Sequence, residues 1–93
     1  MPLFMTVHRA PGLLKEQWVE NAHEVYRGEF ATFKQAHVNL TSGFIFTIYE
    51  ATDREALIEQ FETLGFPFEE INEIEFSQSF DEMKAMLEQM GTI

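Results

Sequence analysis

The chain has 93 residues, 16 acidic against six Lys or Arg, a formal net charge of −10, 45% apolar residues with ten phenylalanines, and no cysteine. This gives room for one hydrophobic core and excludes a disordered polymer. The acidity argues against nucleic acid or an anionic membrane as partner, and the lack of cysteine excludes disulfides, thiolate nucleophiles and cysteine-based zinc sites.

Pro2–Arg9 alternates weakly and is predicted as the first strand. Leu3, Met5 and Val7 point one way, and Phe4, Thr6 and His8 the other. The opening residues lack the basic n-region and apolar run of a signal peptide, and no stretch approaches the ~18 apolar residues of a membrane span, so a cytoplasmic location is expected. Ala10-Pro11-Gly12 breaks the strand. Leu13–Arg27 is predicted as a helix whose buried stripe is Leu14, Trp18, Ala22 and Val25, with Gly28 as its stop.

Phe30–Leu40 and Phe44–Ala51 are predicted strands joined by the tight reversal Thr41-Ser42-Gly43. With Thr41 and Ser42 central, His37 faces Phe46. One hairpin face then carries Phe33, Gln35, His37, Phe46, Ile48 and Glu50. The other carries Lys34, Ala36, Val38, Ile45, Thr47 and Tyr49. Thr52-Asp53-Arg54-Glu55 has the pattern of a capping box with Thr52 as the cap, opening a second helix that runs to about Leu64 with Ala56, Leu57, Gln60, Phe61 and Leu64 on its inner face. Glu69–Ser77 is predicted as an acidic edge strand. Ser79 can cap a last helix, Phe80–Met90, with Met83, Met86, Leu87 and Met90 as its apolar stripe.

Strand, helix, strand, strand, helix, strand is the order of an α+β, ferredoxin-like βαββαβ sandwich. Here it fills a single domain, 1–93, with a core over 1–77 and an appended C-terminal helix at about 80–90. Strand order 4-1-3-2 places both crossover helices on one sheet face and leaves the other face apolar. A second copy packed face to face, as in dimeric α+β barrels, would cover it; the appended helix is the other candidate.

Three histidines are the residues best suited to chemistry. His8 and His37 fall near the C-terminal ends of parallel-running strands, and alternation predicts that they share a face. Imidazole is the commonest neutral ligand for nickel, copper and zinc. His23 falls late in the first helix, nearer Glu50 than His8. An acid at Glu50, ending an apolar strand, is either a solvated terminus or a further ligand. No HxH, HExxH or HxxxH spacing occurs, and Ser42, Ser77 and Ser79 sit in turns or caps without a nucleophile elbow.

Met1-Pro2-Leu3-Phe4-Met5-Thr6-Val7-His8-Arg9, Glu16-Gln17, Ala22-His23-Glu24, Phe33-Lys34, Ser42-Gly43, Tyr49-Glu50-Ala51 and Gly65-Phe66-Pro67 together resemble a bacterial family of small nickel-binding ferredoxin-like proteins. The resemblance spans roughly residues 1–75 and leaves out the last helix. It implies a homodimer with sheets packed face to face and a metal role for some members, with His8, His23 and Glu50 at positions the family pattern carries. The chain departs from that pattern at Thr32, where some members have His, at Thr47, where some have Cys, and at His37, where an aromatic is usual.

The leading expectation is therefore a homodimeric, non-enzymatic binding protein for a divalent transition metal, nickel first, through His8, His37, His23 and Glu50. The alternative is a dimeric α+β barrel protein, a carrier or an enzyme of monooxygenase or cyclase type. Its cleft between sheet and helices would hold an aromatic or polyketide-like molecule. Phe4, Phe33, Phe46 and Trp18 would line that cleft, with a histidine as acid or base. A pure interaction module is the third reading.

Overall fold

Seven elements follow one another in the computed structural model, which describes residues 1–93. They are β1 (Leu3–Arg9), α1 (Lys15–Tyr26), β2 (Ala31–Val38), β3 (Phe44–Ala51), α2 (Arg54–Leu64), β4 (Glu70–Ile74) and α3 (Phe80–Gln89). The four strands form one antiparallel sheet in the order β2-β3-β1-β4, the ferredoxin-like arrangement that the element order predicts. No helix is long and apolar enough to cross a membrane.

Period-two alternation fixes the sheet's two faces. Phe4, Thr6 and His8 of β1 sit opposite Tyr49, Thr47 and Ile45 of β3, and these residues are buried on the face that carries α1 and α2. Leu3, Met5 and Val7 sit opposite Glu50, Ile48 and Phe46 on the other face, which no element of the chain covers. The predicted hairpin register holds near the turn, with His37 opposite Phe46 and Val38 opposite Ile45. It then slips by one at a bulge between Phe33 and Gln35. The extra residue, Lys34, turns Phe33 onto the helix-covered face, where its ring meets Tyr49 edge-on at 5.6 Å. The expectation that Phe33 shares a face with His37 is thereby corrected.

The packed part of the core lies under α2. Phe4, Ala31, Tyr49, Ala51, Leu57, Phe61 and Ile71 form one cluster, and Leu57 and Phe61 are 0% exposed. Asp53, not Thr52, caps this helix: the Ala56 amide donates to Asp53 Oδ1 at 2.8 Å. The helix therefore opens one residue later than the predicted box, with the better acceptor at the cap. It closes on Gly65, whose φ of 72° is the left-handed region that favours glycine, and the Phe66 amide reaches back to the Phe61 carbonyl.

The last turn of α1 instead ends at Arg27, and Gly28 has no left-handed backbone. Gly28 is required for room. A Cβ there would collide with the Gln60 side-chain amide and lie 2.9 Å from the Ala31 carbonyl oxygen. Gln60 is itself buried, and its Oε1 accepts from the Phe30 amide at 3.0 Å, tying the α1–β2 connection to α2.

Candidate binding site

The two crossover helices do not fill the sheet face equally. No residue of α1 is buried, although Trp18 and Val25 lie on the predicted stripe and are half-covered. Leu14, placed on that stripe by its spacing, is 58% exposed. Between α1 and the sheet lies a cavity of about 690 Å³, within the range that holds a small organic ligand. Trp18, Ala22, Val25 and Tyr26 line it from α1, Phe33 and Ala36 from β2, and Ile45, Thr47 and Tyr49 from β3. His8 stands at the end of β1, and Phe66 and Pro67 close the margin from the α2–β4 connection. In a chain with 16 acidic residues, no Asp or Glu is among the lining residues.

The polar floor is a directed hydrogen-bond chain. His8 Nδ1 lies 2.8 Å from the Pro67 carbonyl oxygen, which can only accept, so the proton of the neutral ring sits on Nδ1. Nε2 is then an acceptor, and the Thr6 hydroxyl donates to it at 2.8 Å. The Thr6 oxygen is in turn bonded to the Thr47 hydroxyl; with its own proton spent on His8, Thr6 accepts and Thr47 donates. The Thr47 proton is thereby committed inward, and what its oxygen can offer the cavity is a lone pair. Burial holds the His8 imidazole below its ordinary value of 6.5, opposed by the bond to Pro67, and keeps it neutral. Burial pushes the Tyr49 phenol up to about 12.

The expected ligand set is divided by the sheet. His8 is buried on the helix-covered face, its ring edge-on to Phe61 at 4.7 Å. His37 lies opposite Phe46 on the open face, exposed, so the prediction that His8 and His37 share a face is wrong. The β1–β3 register is the reason: His37 pairs with Phe46 as predicted, but Phe46 pairs with Val7, whose side chain is on the face opposite His8. Glu50 is half-covered, opposite Leu3 and Thr32 on the open face. His23 of α1 lines the same cavity as His8, and Glu50 does not. No group of three or more His, Cys, Asp or Glu side chains stands close enough to hold a metal ion. Of the four aromatics expected in a cleft, Phe33 and Trp18 line the cavity. Phe4 is in the packed core, and Phe46 stacks on Phe44 with ring centres 6.1 Å apart. Sequence reasoning missed Thr6 and Thr47 as the hydroxyl partners of His8 in the polar floor. The signal was present in part, as hydroxyl residues on strands otherwise apolar on that face.

No protein-family model and no curated protein matches the chain. Among solved structures it is similar to the crystal structure of SCO4226 from Streptomyces coelicolor A3(2), with 30% sequence identity and a TM-score of 0.70, over 81% of this chain and 98% of that one.

Proposed function

We propose that this protein, which belongs to the same family as SCO4226, is a small homodimeric binding protein for a flat, mainly apolar organic molecule held between α1 and the sheet. The observation that carries this reading is the aromatic-walled cavity over the His8–Thr6–Thr47 chain. Apolar walls with a few fixed polar groups are the usual make-up of such sites. Because Thr47 offers an acceptor, the ligand carries a hydroxyl or N–H at that end. No carboxylate lines the cavity to pair with an organic cation, and the cationic Arg9 is at its margin, which favours neutral or weakly acidic molecules such as phenols.

The single tryptophan is on the cavity wall, so its indole N–H resonance reports occupancy directly. Titration with 2-naphthol is expected to shift that resonance saturably. Naphthalene, which lacks the donor, should bind about five-fold more weakly, the worth of one hydrogen bond of ~1 kcal/mol, and Thr47→Val should erase the difference. If neither compound moves the Trp18 resonance, the reading fails.

A transition metal, nickel first, is the second reading, supported by two imidazoles, His8 and His23, lining one cavity. Two imidazoles make a weak site, and His8 Nε2 would have to release Thr6 to ligate; further ligands would come from a second copy. Calorimetric titration with nickel, zinc and copper tests it. His8→Ala should weaken binding more than His23→Ala, and absence of heat with all three metals ends this reading. The homodimer is supported by the uncovered sheet face, where Met5 and Phe46 are exposed beside Val7 and Ile48.

A further inference from the structure

The chain leaves two apolar surfaces without a partner. One is the open sheet face. The other is α3, a ten-residue helix well made at its start: Ser79 and Glu82 form a reciprocal capping box, the Glu82 amide donating to Ser79 Oγ at 3.1 Å and the Ser79 amide to Glu82 Oε1 at 3.2 Å. Its stripe of Phe80, Met83, Met86 and Met90 stays exposed, and α3 makes no substantial contact with the sheet or with α1 or α2. The appended helix, one of the two candidates for covering the open sheet face, does not cover it within its own chain.

The whole molecule bears the mark of an unpacked arm. Its radius of gyration is 16.0 Å, with extents of 49 × 31 × 21 Å, where a compact chain of this length has a radius of about 12 Å. Its accessible surface is 6801 Å², roughly 1,200 Å² more than a compact monomer of its mass exposes. A stable interface takes about 800 Å² from each partner. The excess is thus enough for a dimer contact.

We infer that α3 of each protomer lies across the open sheet face of a second copy, in a reciprocal exchange of arms; this rests on the homodimer reading above. The dimensions agree. A ten-residue helix is about 15 Å long, and four strands are about 14 Å across. The exchange covers both apolar surfaces at once and closes under a two-fold axis, with no surface left to propagate a fibre. With the methionine stripe down, Asp81 and Glu88 point outward, so two chains of charge −10 each meet through their apolar residues. SCO4226 matches only 81% of this chain while being matched over 98% of its own length. The unmatched fifth is roughly the length of the arm from Phe76 to Ile93, so an arm need not be part of the shared fold.

Engineered cysteines test the geometry in the intact chain, which has none of its own. Phe46→Cys and Met83→Cys are made separately, on chains carrying tags of different mass, then mixed and mildly oxidised. Both positions are exposed, so folding is not at stake. A mixed disulfide dimer as the main product supports arm exchange. A product dominated by Phe46→Cys pairing with itself means that the sheets meet face to face, and overturns the inference while the homodimer stands. Sedimentation of the unmodified protein separates the two failures: a monomer at micromolar concentration overturns both. In a dimer, Met83→Glu with Met86→Glu should weaken self-association at least ten-fold. Unchanged association of that double variant overturns arm exchange alone.

Discussion

One sheet face carries two helices of nearly equal length, and the two halves beneath them differ. Under α2, Leu57, Gln60 and Phe61 are sealed against Phe4, Tyr49 and Ile71. No residue of α1 is sealed, and the helix stands off the sheet over an aromatic-walled cavity. The difference extends to the helix ends. Asp53 and Gly65 close α2 at both termini, whereas α1 starts at Leu14, which has no side-chain acceptor and only the Gln17 side chain to receive its amide at 2.9 Å. The filled half holds the fold together, and the hollow half is free to bind. Each half can therefore be perturbed with a different expected readout.

The largest contrast is between Phe61→Ala and Trp18→Ala. Phe61 is fully buried, and its ring meets those of His8, Tyr49 and Phe68. Its truncation should cost ~3–5 kcal/mol, enough to unfold much of a small domain at room temperature. Trp18→Ala should cost less than ~1 kcal/mol in urea unfolding while abolishing occupancy of the cavity. Comparable losses at the two sites would mean that α1 is as tightly packed as α2.

Enlarging a residue in each half gives the next largest effect. Ala51 is 1% exposed within the filled core, and Ala51→Leu should cost ~1–3 kcal/mol through overpacking. Ala36, on the wall of the cavity, has open space before it. Ala36→Leu should leave the unfolding midpoint nearly unchanged or raise it, and should weaken 2-naphthol binding more than ten-fold. A destabilised Ala36→Leu with intact binding would show that the cavity lies elsewhere.

The filled half was the more legible one in the sequence. Alternation in β1 put Phe4, Thr6 and His8 on one face, the helical spacing of α2 named Leu57, Gln60 and Phe61, and both survive in the structure. The same reasoning named Trp18, Ala22 and Val25 as the inward side of α1, and they do face the cavity. Periodicity gives the side that faces in; it says nothing of the distance at which the helix stands, so a packed stripe and a cavity wall look alike. The bulge at Lys34 was hidden for a related reason. It adds a residue without a glycine or proline to announce it, and every side chain before it changes face. That single slip separated His37 from Phe33; what divides His37 from His8 is the β1–β3 register, which pairs Phe46 with Val7. The Thr6–Thr47 bond depends on the β1–β3 register, a pairing of residues 41 positions apart that local pattern does not contain.

His8 stands where the two halves meet, so its titration reports on both. Burial keeps the folded imidazole below its unfolded value, and the unfolded chain therefore takes up the proton first as pH falls through about 6.5. The stability His8 allows is complete above that value. It declines as the pH drops below it and levels off once the folded ring also protonates. His8→Gln, which keeps a donor for the Pro67 carbonyl, removes this dependence. The gap in stability between wild type and His8→Gln, measured by urea unfolding at pH 7.5 and pH 5.0, should move against wild type at the lower pH. A gap that stays constant would mean that the ring is solvated and that the hydroxyl chain from Thr47 does not end on a neutral imidazole.

The smallest effect concerns the helix caps, and it tests whether α1 is loose by its own ends or only by its packing. Asp53→Ala removes the acceptor for the Ala56 amide and should cost ~1 kcal/mol, while Thr52→Ala next to it should cost almost nothing. At the start of α1 the reverse change is available. Leu14 is mostly exposed, is not among the cavity-lining residues, and sits in the extended backbone conformation that a capping residue adopts, with φ −96° and ψ 151°. Leu14→Asp supplies the missing oxygen and puts a negative charge at the positive end of the helix dipole. It should stabilise the protein by ~0.5–1 kcal/mol despite adding to a charge of −10. Amide hydrogen exchange would place the gain: slower exchange confined to Lys15–Tyr26, with 2-naphthol affinity unchanged, means that the helix can be firmed without closing the cavity. If Leu14→Asp stabilises the chain but weakens the ligand, the looseness of α1 is itself part of how the cavity admits its guest.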